Sequence, residues 1–360
     1  MLHKIELPAY DQNLERIVQI QQKIISFVCD PNTPLTPGRD VFKRVFNDQI
    51  GSWLYQWLQR KHKEKTFYQE LCDLVAHLRQ YSSLRAQLID AFQNDIDFFS
   101  HLDDASFVFF FNTRLPKKVG QMIAPVMIAF YDYVVQAGFP PCIGTFDRKE
   151  FLKTFWNTNK NLGVCPACDS PKPDINECDV DHFLPKSLYP FLSVCASNLA
   201  PVCLVCNRSV KRSADPIDQA QSAPLTNTFH PFGKPALDAI KVAVNRNTKG
   251  GEYQIYLEEM TGGISRRVAS LKRVYKLETR WLERLKAEIE SIRKTIKSAR
   301  KRLLREGMSA NDIVDALLNM ILEDYDHKIG VEHYYILRSS YARYALCDTE
   351  EFSSLVELLS

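Results

Sequence analysis

Apolar residues in the first 135 positions recur at spacings of three and four, the repeat of one face of an α-helix. Leu14, Ile17, Val18, Ile24, Ile25 and Val28 make the first stripe. Phe42, Val45, Phe46, Ile50, Trp53, Leu54 and Trp57 make a second, read as one helix that ends in Arg60, Lys61, His62, Lys63 and Lys65. Between them, Pro31 to Gly38 holds too many prolines for a helix. Helical patterns also run from about Phe67 to Leu102 and from Val119 to Val135, before Pro140-Pro141 breaks the series. Stripes of this kind turn toward a core, so the aromatic residues here are read as packing groups. Gln121, Pro125 and Asp132 make Val119 to Val135 a buried helix rather than a membrane span.

The pattern changes between Gly163 and Pro216, where Cys, Asp, Asn and Pro cluster and helical stripes fade. Beyond it, Ile240, Val242 and Val244 alternate, residues Asn245 to Gly251 turn, and Tyr253, Ile255 and Leu257 alternate again, which is a hairpin. Leu282, Leu285, Ile289, Ile292, Ile296, Ala299 and Leu303 then repeat as a heptad seam, suited to a coiled coil or a helical bundle. Gly307 stops that helix, and Ser309 with Asp312 three residues on starts another. The expected class is therefore α+β and mainly helical. It has three regions: helical 1–160, a zinc-stapled module 161–235, and a hairpin with a long-helix bundle 236–360.

Charge adds little in bulk, since the net charge of the 360-residue chain is +3. Locally it matters more: Arg266 to Arg305 holds 15 Lys and Arg against 4 Glu. Such a helix either tracks a phosphate backbone or is a solvated bundle face. The N-terminus shows no apolar leader, and the expected compartment is the cytoplasm, where paired cysteines read as metal ligands rather than disulfides.

Four of the ten cysteines form Cys165-x-x-Cys168 and Cys203-x-x-Cys206. Two such turns supply the four-thiolate tetrahedron that structural zinc prefers. The 34 residues between the pairs require a small folded unit inside the clasp. Cys178 and Cys195 lie in that interval as alternative ligands, while Cys29, Cys72, Cys142 and Cys347 are read as core cysteines.

Inside the clasp stand Asp179-Val180-Asp181-His182-Phe183-Leu184-Pro185-Lys186-Ser187, then Asn198-Leu199-Ala200-Pro201, then Asn207 and Lys211. This order resembles the HNH, or ββα-metal, nucleases, and most closely the HNH proteins of bacterial anti-phage systems of the Septu and retron-associated type. The resemblance covers about Gly163 to Pro216 and touches Phe229-His230-Pro231-Phe232; the flanks carry no such likeness. It implies a short hairpin followed by a helix, with His182 ending the first strand. It implies Asp181 and Asn207 as ligands of a catalytic Mg²⁺ or Mn²⁺, Asn207 standing where the second His of the name often sits, as in the CRISPR-type branch. It implies Asn198 as the residue that ties down the connecting loop, and a regulatory ATPase as partner.

The chemistry agrees with these residue types. Imidazole titrates near neutrality and suits His182 to deprotonating a water. A hard cation takes carboxylate and amide oxygens, which Asp181 and Asn207 offer. Lys186, Arg208 and Lys211 are candidates for phosphate contacts. The expected function is metal-dependent hydrolysis of phosphodiesters, with DNA favoured over RNA, in anti-phage defence. The alternatives are a zinc-held binding module that does not cut, and a scaffold that self-associates through the 282–303 seam. His230, alone between aromatics and proline, is read as structural.

Overall fold

The computed structural model describes residues 1–8, 11–218, 224–247, 251–303 and 307–359 and, for 11 and 300–303, the backbone alone. The first region holds α1 (Asp11–Cys29), α2 (Arg39–Phe46), α3 (Asp48–Leu58), α4 (Phe67–Gln80), α5 (Ser83–Ile96), α6 (Phe110–Thr113), α7 (Lys117–Phe130) and α8 (Arg148–Thr158). A two-residue ribbon, β1 (Lys61–His62) and β2 (Lys65–Thr66), precedes α4. The middle holds one antiparallel pair, β3 (Cys178–His182) and β4 (Leu199–Cys203). The last region has the expected hairpin, β5 (Ile240–Arg246) and β6 (Tyr253–Glu259), in register from Ile240 opposite Glu259 to Arg246 opposite Tyr253. Then follow α9 (Ser265–Tyr275), α10 (Leu277–Leu303), α11 (Ala310–Glu323), α12 (Tyr325–Lys328), α13 (Tyr335–Cys347) and α14 (Thr349–Glu357). The protein is thus mainly helical with small antiparallel sheets. No described helix is long and apolar enough to cross a membrane.

Two helices differ from their sequence patterns. The Phe42–Trp57 stripe is not one helix but two, because Asn47 turns to φ 76° and caps α3 by accepting from the Ile50 amide. Folding α3 back onto α2 brings Gly51 against the Phe42 carbonyl, where an added Cβ would sit 2.4 Å away. Periodicity alone does not register such a reversal, since both halves keep the same apolar spacing. The Val119–Val135 pattern is α-helical only to Phe130; Tyr131–Val135 continues as a π-helical turn.

The heptad seam is filled from within the chain. Leu285, Ile289, Ile292 and Ile296 are buried, and α10 packs on α11, α13 and β6. Among the described residues this is the bundle form of the seam. The side chain of Leu303, Arg300, Lys301, Arg302 and Arg305 of the basic stretch, and residues 248–250 of the hairpin turn fall outside what is described. Ile289→Asp should therefore unfold the bundle rather than part an oligomer. An unpaired charge buried there costs upwards of about 4 kcal/mol. Thermal melting would drop sharply while the scattering mass of the wild type stays fixed; a stable variant of halved mass would show the seam to be intermolecular.

Buried side chains from all three regions form one connected hydrophobic core. Cys347 departs from the expected core cysteines: it is exposed, and Cys72 and Cys142 are half-buried. A capping box at Ser309 and Asp312 starts α11 as expected. The first residues strap the centre together: the Leu2 and His3 amides donate to the Pro166 carbonyl, and the Ala236 and Leu237 amides donate to Met1 and Leu2.

Candidate functional site

The four clasp thiols meet. The Sγ atoms of Cys165, Cys168, Cys203 and Cys206 all lie within 4.8 Å of one another, with Cys168 and Cys203 3.9 Å apart. A tetrahedron with Zn–S bonds of about 2.3 Å spaces its sulfurs by about 3.8 Å. The cluster could thus hold a metal such as zinc, and neither Cys178 nor Cys195 belongs to it. Hydrogen bonds from the other three thiols pull Cys203 strongly toward thiolate, those with Cys165 and Cys206 bring Cys168 down to about 6, and burial holds Cys165 up.

Hydrogen bonds to sulfur frame the cluster. The Cys203 amide donates to Cys165 Sγ at 3.3 Å, Ser170 Oγ lies 3.3 Å from Cys168 Sγ, and Arg280 of α10 reaches Cys206 Sγ at 3.4 Å. A zinc bound by four thiolates carries a net charge of −2, and the Arg280 guanidinium offsets part of it. Trp281 adds a bond from Nε1 to the Cys168 carbonyl at 2.9 Å. Partners of metal ligands tune affinity by 10- to 100-fold. Arg280→Met should weaken zinc retention by about that factor in chelator competition, and Arg280→Lys by less. Equal retention in all three chains would deny Arg280 this part.

The antiparallel pair and the next helical turn stand beside the clasp. In β3 opposite β4, Asp181 pairs with Ala200 and His182 with Leu199. After Cys203 the chain enters a π-helical turn, Val205–Lys211, which carries Asn207. His182 ends its strand, and a strand–strand–helix order follows, as the motif reading expects.

The local hydrogen bonds give each residue a place. His182 is 8 % exposed, and its Nε2 lies 2.9 Å from the Ser193 carbonyl oxygen. A carbonyl only accepts, so Nε2 carries the proton in the neutral ring and Nδ1 keeps its lone pair. Among the described residues Nδ1 makes no hydrogen bond. Burial, followed by Lys186 and Lys211, pushes the His182 pKa down to about 3, so the ring is neutral at physiological pH. The Tyr131 ring meets it edge-on, 4.3 Å between centroids.

Asn198 is fully buried and ties down the connecting loop. Its Oδ1 accepts from the Leu184 amide at 2.7 Å, and its Nδ2 donates to the Leu184 and Leu192 carbonyls. Asp181 is 1 % exposed; its Oδ1 accepts from Lys211 Nζ at 2.7 Å, while Oδ2 is buried without a partner. Burial raises the Asp181 pKa, and Lys211 opposes that shift. Asp179 pairs with Arg208 at 2.8 Å.

A pocket of about 290 Å³ brings Asp181, His182, Asn207, Lys186, Arg208 and Tyr131 to one opening. Two of the expected phosphate cations, Lys186 and Arg208, face this pocket. Lys186 is tied to Asp132 and lies over the Tyr131 ring at 4.9 Å; Arg208 keeps an exposed side chain. Lys211 is a correction. It is 1 % exposed and spends its ammonium on Asp181 and, at 2.6 Å, on the His182 carbonyl. Buried this way it fixes the end of β3 and cannot meet a phosphate.

His230 lies outside the Asp181–His182 pocket. It is fully buried among Phe98, Phe99, Phe183 and Phe232, and burial lowers its pKa to about 3. Sequence reasoning missed Ser193 and Tyr131. Ser193 acts through its carbonyl, which no side-chain motif encodes. Tyr131 opens a π-helical turn, a feature frequent at functional sites but indistinct in periodicity. Comparison with protein-family models, curated proteins and solved structures finds no match.

Proposed function

We propose that the chain is a metal-dependent endonuclease of the HNH type, hydrolysing phosphodiester bonds, with DNA favoured over RNA. The single observation that supports this best is the His182 ring. Its tautomer is fixed by the Ser193 carbonyl, and the residue lines one pocket with Asp181, whose Oδ2 has no partner, and with Asn207.

The Asp181 Oδ2 atom fits a cation. A buried acceptor with no donor is costly unless something positive reaches it. Among the described residues the Asn207 side chain makes no hydrogen bond, and its amide oxygen would offer the second ligand. Asp181 and Asn207 would hold Mg²⁺ or Mn²⁺, which when bound supplies charge stabilisation to the phosphate and the leaving oxygen. His182 would take the proton of the attacking water at Nδ1; the Ser193 carbonyl on Nε2 favours the resulting imidazolium, while burial, Lys186 and Lys211 oppose it. Asn198 and Ser193 keep the loop and ring in place. Lys186 and Arg208 present positive charge at the opening.

A zinc-held binding module without catalysis is the competing reading. It draws support from Lys211, which already occupies Asp181 Oδ1. Cleavage of plasmid DNA and of total RNA in Mg²⁺, in Mn²⁺ and in chelator separates the two readings. The nuclease reading expects cutting that follows the divalent ion; intact substrates under every condition would favour the binding module. A role in anti-phage defence with an ATPase partner belongs to the same proposal and rests on the motif resemblance alone.

A further inference from the structure

A second concavity borders the start of the Val205–Lys211 turn, whose later residues Asn207 and Arg208 line the first pocket. It is a cleft of about 810 Å³ between the zinc knuckle and the start of α10, with Ser170, Lys172, Leu204, Val205, Arg284 and Tyr334 on its walls. Lys172 Nζ stands 4.5 Å over the Trp156 ring, and Arg284 lies 5.5 Å over the Tyr334 ring. Neither cation has a carboxylate partner among the described residues, although Glu177 and Glu283 also line the cleft. Aromatic support holds a cation in place without neutralising it. Arg280, deeper in, is committed to Cys206.

The catalytic pocket, at about 290 Å³, is at the lower limit of a small-ligand site. A polymer passing through it must be gripped elsewhere. Val205 of the Val205–Lys211 turn lines the cleft, and Asn207 and Arg208 of the same turn line the pocket, so the two openings are neighbours. We propose that this cleft binds the phosphate backbone of the nucleic acid flanking the scissile bond, through Lys172 and Arg284. The idea rests on the nuclease reading for its ligand and on the cleft's own geometry for its place.

The test measures fluorescence anisotropy of labelled 20-nucleotide strands and duplexes against salt. It uses the full zinc-loaded chain carrying His182→Ala, so that binding is read without cutting. Adding Lys172→Glu and Arg284→Glu should raise Kd about tenfold or more. It should also make the slope of log K against log salt shallower by about two, one unit for each lost phosphate contact. Lys23→Glu with Lys118→Glu, a charge-matched pair away from the cleft, should leave that slope in place. Lys172→Gln with Arg284→Gln should move both quantities the same way by less, which covers the case in which the reversals disturb folding. Zinc content and melting temperature accompany each variant.

An unchanged Kd and slope in a folded Lys172/Arg284 variant would overturn the cleft assignment while leaving the nuclease reading intact. Binding that depends on the pair, in a wild type that never cuts, would uphold the cleft and sink the nuclease. No binding of either nucleic acid at low salt would overturn both.

Discussion

His182→Ala should lower the rate of divalent-dependent cleavage by about 10²- to 10⁴-fold, the usual contribution of a positioned general base. That range corresponds to about 3 to 5.5 kcal/mol of barrier. The argument starts from the ring's surroundings. A buried neutral imidazole with one nitrogen donating to a fixed carbonyl has a single open proton acceptor, and the residue lines one pocket with Asp181 and Asn207. Replacing the ring removes the acceptor, the Ser193 contact and the packing against Tyr131. The structural loss is about 1 to 3 kcal/mol, which a folded chain should withstand. Zinc content and nucleic-acid binding should therefore be kept while turnover is lost. Added imidazole should restore part of the rate in His182→Ala and none in Asp181→Ala. Wild-type turnover in His182→Ala, or a loss explained by released zinc, would remove His182 from the chemistry.

Much of this arrangement was legible in the sequence because it depends on short-range spacing. Two C-x-x-C turns predict four converging sulfurs, and Asn198 predicts a stitched loop; both are present. The β5–β6 hairpin follows from alternation alone. What escaped depends on partners distant in the chain. Lys211 looked like a surface cation three residues past Arg208, yet a π-helical turn swings it inward to Asp181, 30 residues earlier. Asn47 reverses a stripe that reads as one continuous helix. The α10 seam was ambiguous because an intramolecular bundle and a coiled coil share one apolar repeat; only the elements that cover it decide. The link from α10 to the knuckle through Arg280 and Trp281 joins residues more than 70 positions apart and leaves no local trace.

Removing the knuckle metal should have the largest effect on stability, because the knuckle is a junction of the whole chain. Leu2 and His3 bond to Pro166 between its cysteines, and His3 pairs with Asp169 at 2.7 Å. Trp281 donates to the Cys168 carbonyl, and the Tyr334 amide donates to the Asp169 carbonyl. Gly163, just before the first cysteine, lies against Val331 so closely that an added Cβ would meet its carbonyl oxygen at 2.1 Å. Three buried cysteines and the half-buried Cys203 hold these segments in register, and without an ion they are a crowd of thiols and thiolates. Structural zinc contributes about 10 to 16 kcal/mol in small peptides, as much as or more than the whole stability of a typical domain. Even a third of that, about 5 kcal/mol, would lower the melting temperature of a 360-residue chain that melts as one unit by roughly 7 °C. Cys206→Ser, or stripping with a strong chelator, should produce such a shift, and it should extend to α10 and the first residues rather than stay at the knuckle. Metal analysis should find one zinc per wild-type chain. A metal-free wild type that melts at the same temperature as the zinc-loaded one would show the four sulfurs to be mere core packing, and the β3–β4 pair would then need another explanation for its order.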